Sequence, residues 1–293
     1  MSVEVEGKYV VDKQIGEGRF GKVFSAQNKN TGETVVIKVD NKDSIILRNE
    51  ASIYRLLQGI NGIPKLRSYG NEGNYNYMVI DKLDKSLKDL KSSIKKPFDL
   101  KTTLSMGLQM LRRVEGLHNE HIIHRDIKPE NFVMGDREDK HEHLLYIIDF
   151  GLSKLYKVGG EHIACKTDRT PIGTLDYMSL NVHKGLTPSR RDDLESIGYT
   201  LLYLMNGGLP WMVEEEEDED NSGRLERKVY EIKRKTDIWG LNKDIPGELA
   251  LFVQYCRNLE FGERPNYGYL RMLFANVYKL HNFGIDNKFS WNT

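Results

Sequence analysis

Cysteine is scarce: only Cys165 and Cys256 occur in 293 residues, too few for a disulfide framework. The fold must therefore come from a packed core, which a chain of this length can supply. No apolar stretch is long enough to span a bilayer. The opening residues, Met1 to Glu6, lack the basic and apolar regions of a secretory signal, and Ser2 stands where N-myristoylation would need glycine. Net charge is lacking too, since 43 basic residues balance 43 acidic ones. The chain as a whole gives no signal for nucleic acid or membrane. With 39% hydrophobic and 29% charged residues, the expectation is a soluble protein of a reducing compartment, cytoplasmic or nuclear, and monomeric.

What is present is a concentration of chemistry in His124-Arg125-Asp126-Ile127-Lys128-Pro129-Glu130-Asn131. Pro129 argues against a continuous helix through it. In such a loop Asp126 can orient a hydroxyl and accept its proton, Lys128 can neutralise a phosphoryl oxygen, and Asn131 can offer an amide oxygen to a hard cation. These are parts for phosphoryl transfer. A polar turn is the plain alternative for the His-Arg-Asp triplet alone, so the reading depends on partners elsewhere in the chain.

Those partners are found on both sides. From Tyr9 to Val39 the pattern is strand, glycine-rich turn, strand, turn, strand, with Gly16, Gly18 and Gly21 in the first turn. A lone G-x-G-x-x-G also occurs in dinucleotide-binding folds, where it opens a helix. Here Val23, Phe24 and Thr34 to Ile37 favour strand instead, and the hairpin form closes backbone N–H groups over phosphates. Lys38, between Ile37 and Val39, needs a carboxylate to hold it, and Glu50 on the amphipathic segment Ile45 to Leu57 is the candidate. Ile46, Ile53, Leu56 and Leu57 read as the apolar face of that helix. Strands at 65–69 and 75–80 complete a five-stranded sheet with one helix. Helical segments follow from Ser86 to Lys95 and from Leu100 to Glu120, the second with a core stripe of Leu104, Leu108, Leu111, Val114 and Leu117. Beyond the octapeptide, Asp149-Phe150-Gly151 ends an apolar strand, and Asp149 with Asn131 makes a pair of oxygen ligands suited to Mg²⁺.

The order and spacing of these motifs resemble those of the eukaryotic protein kinases. Further segments resemble the casein kinase 1 family: Ile53 to Gly59, Gly62-Ile63-Pro64, Tyr146 to Leu152, Ser189 to Ser196 and Phe289 to Asn292. The resemblance implies an α+β fold of two lobes, with an N-lobe at 1–83 built on the five-stranded antiparallel sheet and a mainly helical C-lobe at 84–293. It implies a serine/threonine kinase using ATP and Mg²⁺ on protein substrates. Asp126, Lys128, Asn131 and Asp149 would be catalytic, with Asn131 and Asp149 on the metal. Ile15, Gly16, Gly18, Gly21, Val23, Lys38, Glu50, Ile80, Asp81 and Leu83 would bind ATP. His124, Tyr54 and Phe150 match a hydrophobic spine, and Asp193 a residue that holds the catalytic loop.

The departures concern substrate. Where the family has Gly-Thr-Ala-Arg-Tyr, this chain has Gly173-Thr174-Leu175-Asp176-Tyr177, so Asp176 reverses a charge expected to read acidic or phosphorylated substrates. Lys166, Arg169, Lys233, Arg234 and Lys235 are the candidates for retaining that reading. The run Glu214 to Asp220 reads as a solvated loop, or more sharply as a device that repels acidic substrates. Ser179-Leu180-Asn181 replaces the usual Ala-Pro-Glu, which leaves Arg264 without its customary glutamate. Thr167, Thr170 and Thr174 lie where many kinases are phosphorylated, but the resemblance implies constitutive activity. A pseudokinase scaffold is the alternative, and a nucleotide-binding oxidoreductase is disfavoured by the strands after Gly21.

Overall fold

Alternation of apolar and polar residues from Tyr9 onward builds one antiparallel sheet. Its strands are β1 (Glu4–Val5), β2 (Tyr9–Gly18), β3 (Gly21–Asn28), β4 (Thr34–Asn41), β5 (Leu66–Glu72) and β6 (Tyr75–Asp81), in the order β1-β2-β3-β4-β6-β5. The expected sheet of five strands therefore has a sixth, β1, paired through Glu4 with Val10 and Val5 with Tyr9. Two residues, Glu4 and Val5, carry too short an alternation to announce a strand. The turn after it is made by Glu6 and Gly7, both at positive φ.

The computed structural model describes residues 3–18, 21–137, 140–213, 222–241, 243–284 and 286–292, the side chain of Ser222 excepted. The chain divides into two units, Met1–Asp84 with Val133–Ser153, and Lys85–Phe132 with Lys154–Thr293. Arg19 and Phe20 of the glycine loop and the acidic run at 214–220 lie outside the described residues.

In the first unit, Val35 and Ile37 of β4 join Val5, Tyr9, Ala26, Tyr77 and Val79 in a buried cluster on one face of the sheet. Period-two alternation turns Lys38 to the other face, toward α1 (Ile46–Leu56). That helix buries Leu47, Glu50, Ala51, Ile53 and Tyr54, whereas Ile46 is half-buried and Leu56 exposed. Of the face expected on Ile46, Ile53, Leu56 and Leu57, Ile53 and Leu57 are buried, while the rest of the seam is rotated from Ile46 and Leu56 onto Leu47, Ala51 and Tyr54. This rotation carries Glu50, at i+3 from Leu47, inward.

The second unit is helical: α2 (Leu87–Ile94), α3 (Leu100–Asn119), α4 (Leu180–His183), α5 (Arg190–Asn206), α6 (Ser222–Lys235), α7 (Gly247–Asn258) and α8 (Tyr267–Leu280). Ser86 and Asp89 close a capping box on α2, and Asp99 caps α3 through the Thr102 N–H. The expected stripe on α3 is buried at Leu104, Leu111, Val114 and Leu117, while Leu108 is only half-buried. α5 is buried on every side from Arg191 to Leu204, so it acts as the pillar of this unit rather than as an amphipathic surface helix. Among the described residues no helix is long and apolar enough to cross a membrane.

Candidate active site

Each unit contributes a cluster of polar side chains. In the first, the Lys38 ammonium lies 2.7 Å from Glu50 and 3.0 Å from Asp149. Glu50 is 1% exposed, so the pair stands in a largely dry environment. Burial alone would lower the Lys38 pKa, but Glu50 and Asp149 together more than offset it and hold the ammonium above the usual lysine range. Asp149 has φ 64°, a left-handed conformation that costs energy in a non-glycine residue. The conformation is held locally: Phe150 is buried edge-on against Tyr54 at 4.8 Å, and the Ser153 N–H donates to the Phe150 carbonyl.

The other residues expected at ATP lie in this unit as well. Gly16 pairs with Val23 and Gly18 with Gly21 across the β2–β3 ladder. Gly21 has φ 117°, and a Cβ there would collide with the Val39 carbonyl. Ile15 is exposed, while Val23, Ile80, Asp81 and Leu83 are half-buried. The Asp81 carboxylate is tied back to β5, accepting from Arg67 Nε at 2.6 Å and the Lys65 N–H at 3.0 Å.

The second cluster is the His124 to Asn131 loop, which begins after the strand Ile122–Ile123 and ends in the 3-10 turn Pro129–Asn131. The loop hangs from α5. Asp193 accepts the His124 N–H at 2.7 Å, the Arg125 N–H at 2.8 Å and the His118 ring at 3.0 Å. Burial would raise the Asp193 pKa, but the His118 ring and the His124 N–H overcome it and hold the carboxyl low. Arg125, at φ 69°, is left-handed like Asp149.

Asp126 is 7% exposed and fully engaged. Its Oδ1 accepts the Thr174 N–H at 2.9 Å and the Thr174 hydroxyl at 2.7 Å, and Lys128 lies 2.8 Å from Oδ2. Lys128 also donates to the Thr174 hydroxyl at 2.9 Å. Asn131 donates its amide N–H to the Asp126 carbonyl at 2.8 Å, so its amide oxygen remains as the acceptor. Asn131 and Asp149, expected together on a metal, belong to different units, and both offer the hard oxygen that Mg²⁺ prefers.

Sequence reasoning counted Thr174 only as a phosphorylation site and missed its place on Asp126. Its neighbour Gly173 is at φ 109°, and a Cβ there would lie 2.6 Å from the Arg125 carbonyl oxygen. Of the basic residues expected to read phosphate, Lys166 and Arg169 are exposed, and Arg234 and Lys235 both pair with Glu231. Lys233 is wholly buried and unsuited to that task. The signal was present, because Lys233 follows buried Val229 by four residues on α6, the spacing of one helix face.

Arg264, expected as a buried arginine, is exposed. Beside Ser179-Leu180-Asn181 the carboxylate is Glu195 of α5, which accepts the Leu180 N–H at 3.1 Å and lies 3.4 Å from Arg257 of α7. A family model described as the protein kinase domain matches residues 9–278, a span that includes both clusters.

Proposed function

The chain belongs to the protein kinase family, and from that premise we propose that it is an ATP- and Mg²⁺-dependent serine/threonine kinase of the casein kinase 1 type. The observation that carries the reading is Asp126, held by Thr174 on one oxygen and by Lys128 on the other. A carboxylate so fixed can accept the proton of a substrate hydroxyl as its oxygen bonds to the γ-phosphorus and the bond to the β-phosphate oxygen breaks. Lys128 stands beside it to neutralise charge on the transferring group. Lys38, held by Glu50, is placed to pair with ATP phosphates, and Ile15, Val23, Ile80 and Leu83 supply apolar surface for the base. Mg²⁺ would be held by Asn131 and Asp149, where it would neutralise phosphate charge.

The substrate preference departs from phosphate-primed recognition. Asp176 is half-buried, and burial raises its pKa against the pull of Lys233 and Lys88. With Lys233 buried and Arg234 and Lys235 shared with Glu231, the local charge offers a substrate phosphate little at this place.

The test is Mg²⁺-dependent transfer of labelled γ-phosphate to peptides that differ only in serine, threonine or tyrosine, each in acidic, phosphorylated and basic contexts. Transfer to serine and threonine, abolished in Asp126→Asn, supports the reading. Transfer confined to tyrosine would overturn the specificity, and no transfer to any peptide would support a scaffold instead.

A further inference from the structure

Lys233 occupies the last turn of α6, where a lysine is ordinarily solvated, as its neighbours Arg234 and Lys235 are. Its own exposure is 0%. The ammonium donates to the Leu175 carbonyl at 2.9 Å and the Met178 carbonyl at 2.8 Å, and meets His183 Nε2 at 3.1 Å. The rings of Tyr199 and Trp211 lie 5.0 and 5.4 Å from it. The Trp211 indole N–H donates to the Asp176 carbonyl at 2.7 Å. Three carbonyls of one short loop are thus captured by two side chains from outside it.

The other end of that loop is Thr174, on Asp126 and Lys128. Only one peptide unit separates the Leu175 carbonyl held by Lys233 from the Thr174 groups that hold the carboxylate. The Tyr177 and Met178 N–H groups both donate to the Thr174 carbonyl, so the loop transmits displacement instead of absorbing it. Burying an ammonium is costly, and apolar residues often replace buried charges without loss of stability. A cost retained beside the reacting groups calls for a role there.

We propose that Lys233 is a positioning residue for phosphoryl transfer, which clamps the Leu175 and Met178 carbonyls and so keeps Thr174 seated on Asp126 and Lys128. The proposal rests on the kinase reading above. Lys233 touches no reacting atom; it acts through Thr174.

The experiment compares wild type with Lys233→Met, which keeps length and loses the donors, and Lys233→Gln, which keeps an N–H donor. Peptide kcat, KM for ATP and hydrogen exchange of the Tyr177 and Met178 amides are measured on each. In Lys233→Met kcat falls about 100-fold, the scale of a small misplacement of reacting groups. Exchange at both amides accelerates, KM for ATP is unchanged, and Lys233→Gln restores part of the loss. Wild-type kcat and unaltered exchange in a folded Lys233→Met protein overturn the proposal. Should that variant not fold, unaltered kcat and exchange in Lys233→Gln with its shorter reach overturn it equally. A wild type that transfers no phosphate refutes the kinase reading, while the exchange comparison still decides whether Lys233 holds the loop.

Discussion

Thr174 gives both its donors, the backbone N–H at 2.9 Å and the hydroxyl at 2.7 Å, to a single oxygen of Asp126. The Lys128 ammonium bridges the two residues, 2.8 Å from the other carboxylate oxygen and 2.9 Å from the Thr174 hydroxyl. Two side chains and one backbone N–H therefore fix one carboxylate in direction as well as in charge. Thr174→Val removes the hydroxyl and keeps the N–H, so kcat for peptide phosphorylation should fall on the order of 10- to 100-fold. Thr174→Ser should retain most of the activity. Equal loss in both variants, measured by steady-state kinetics, would show that the hydroxyl is not what matters.

Glu50 is the more deeply buried partner of Lys38. Glu50→Gln should raise KM for ATP and lower kcat about tenfold or more, because the lysine then loses the nearer of the two carboxylates that hold it. Leaving an ammonium without its buried carboxylate should also lower unfolding free energy by about 3 kcal/mol. Urea denaturation alongside ATP titration checks both effects. An unchanged KM for ATP would remove Glu50 from nucleotide positioning.

Burial lowers the Lys233 pKa to about 7, with Arg257 acting in the same direction and Glu195 and Asp176 opposing it. An unfolded lysine titrates near 10.5. Between those values the unfolded chain binds more protons, so stability rises with pH. Below about 7 the buried charge weighs on the fold in full, and above 10.5 the difference is gone. The stability of wild type relative to Lys233→Met should thus rise by roughly 1 kcal/mol per pH unit from pH 7 to 10. Denaturant midpoints of the pair across that range decide the matter, and a constant difference would mean the buried amine does not titrate there.

Arg257 and Arg264 should differ on removal. Arg257 donates to the Tyr199 hydroxyl at 2.9 Å and pairs with buried Glu195, so Arg257→Ala leaves that carboxylate with fewer partners and should cost about 2 kcal/mol. Arg264 is exposed, and Arg264→Ala should stay within about 0.5 kcal/mol of wild type. Thermal melts of both proteins test the contrast, and a larger loss at Arg264 would restore the customary pairing.

Much of this molecule is written locally. Lys38 inside an apolar strand and Glu50 on an amphipathic helix are each anomalous in their own few residues, and an anomalous charge beside apolar neighbours asks for a partner. The same holds for the octapeptide around Asp126, where Pro129 argues against a continuous α-helix and five chemistries crowd together. The alternation of strands before Asp81 and the helical periodicity after it likewise depend only on neighbours two to four residues away. The error at β1 has the same origin, since two residues are too few to show a period.

The sequence by itself therefore determined a sheet-rich part followed by a helical one, and it singled out the polar residues that the structure gathers into two clusters. Only the tertiary structure decided which face of α1 turns inward, that Thr174 sits on Asp126, that Lys233 is buried under its loop, and that Glu195 with Arg257 stands where Arg264 was expected. Each of these depends on contact between residues tens of positions apart, as with Lys233 and Leu175 or Asp193 and His124. A lysine's fate, solvated or buried, is set by what packs over it: the spacing of Lys233 from Val229 puts the two on one helix face, but it does not decide whether that face is covered.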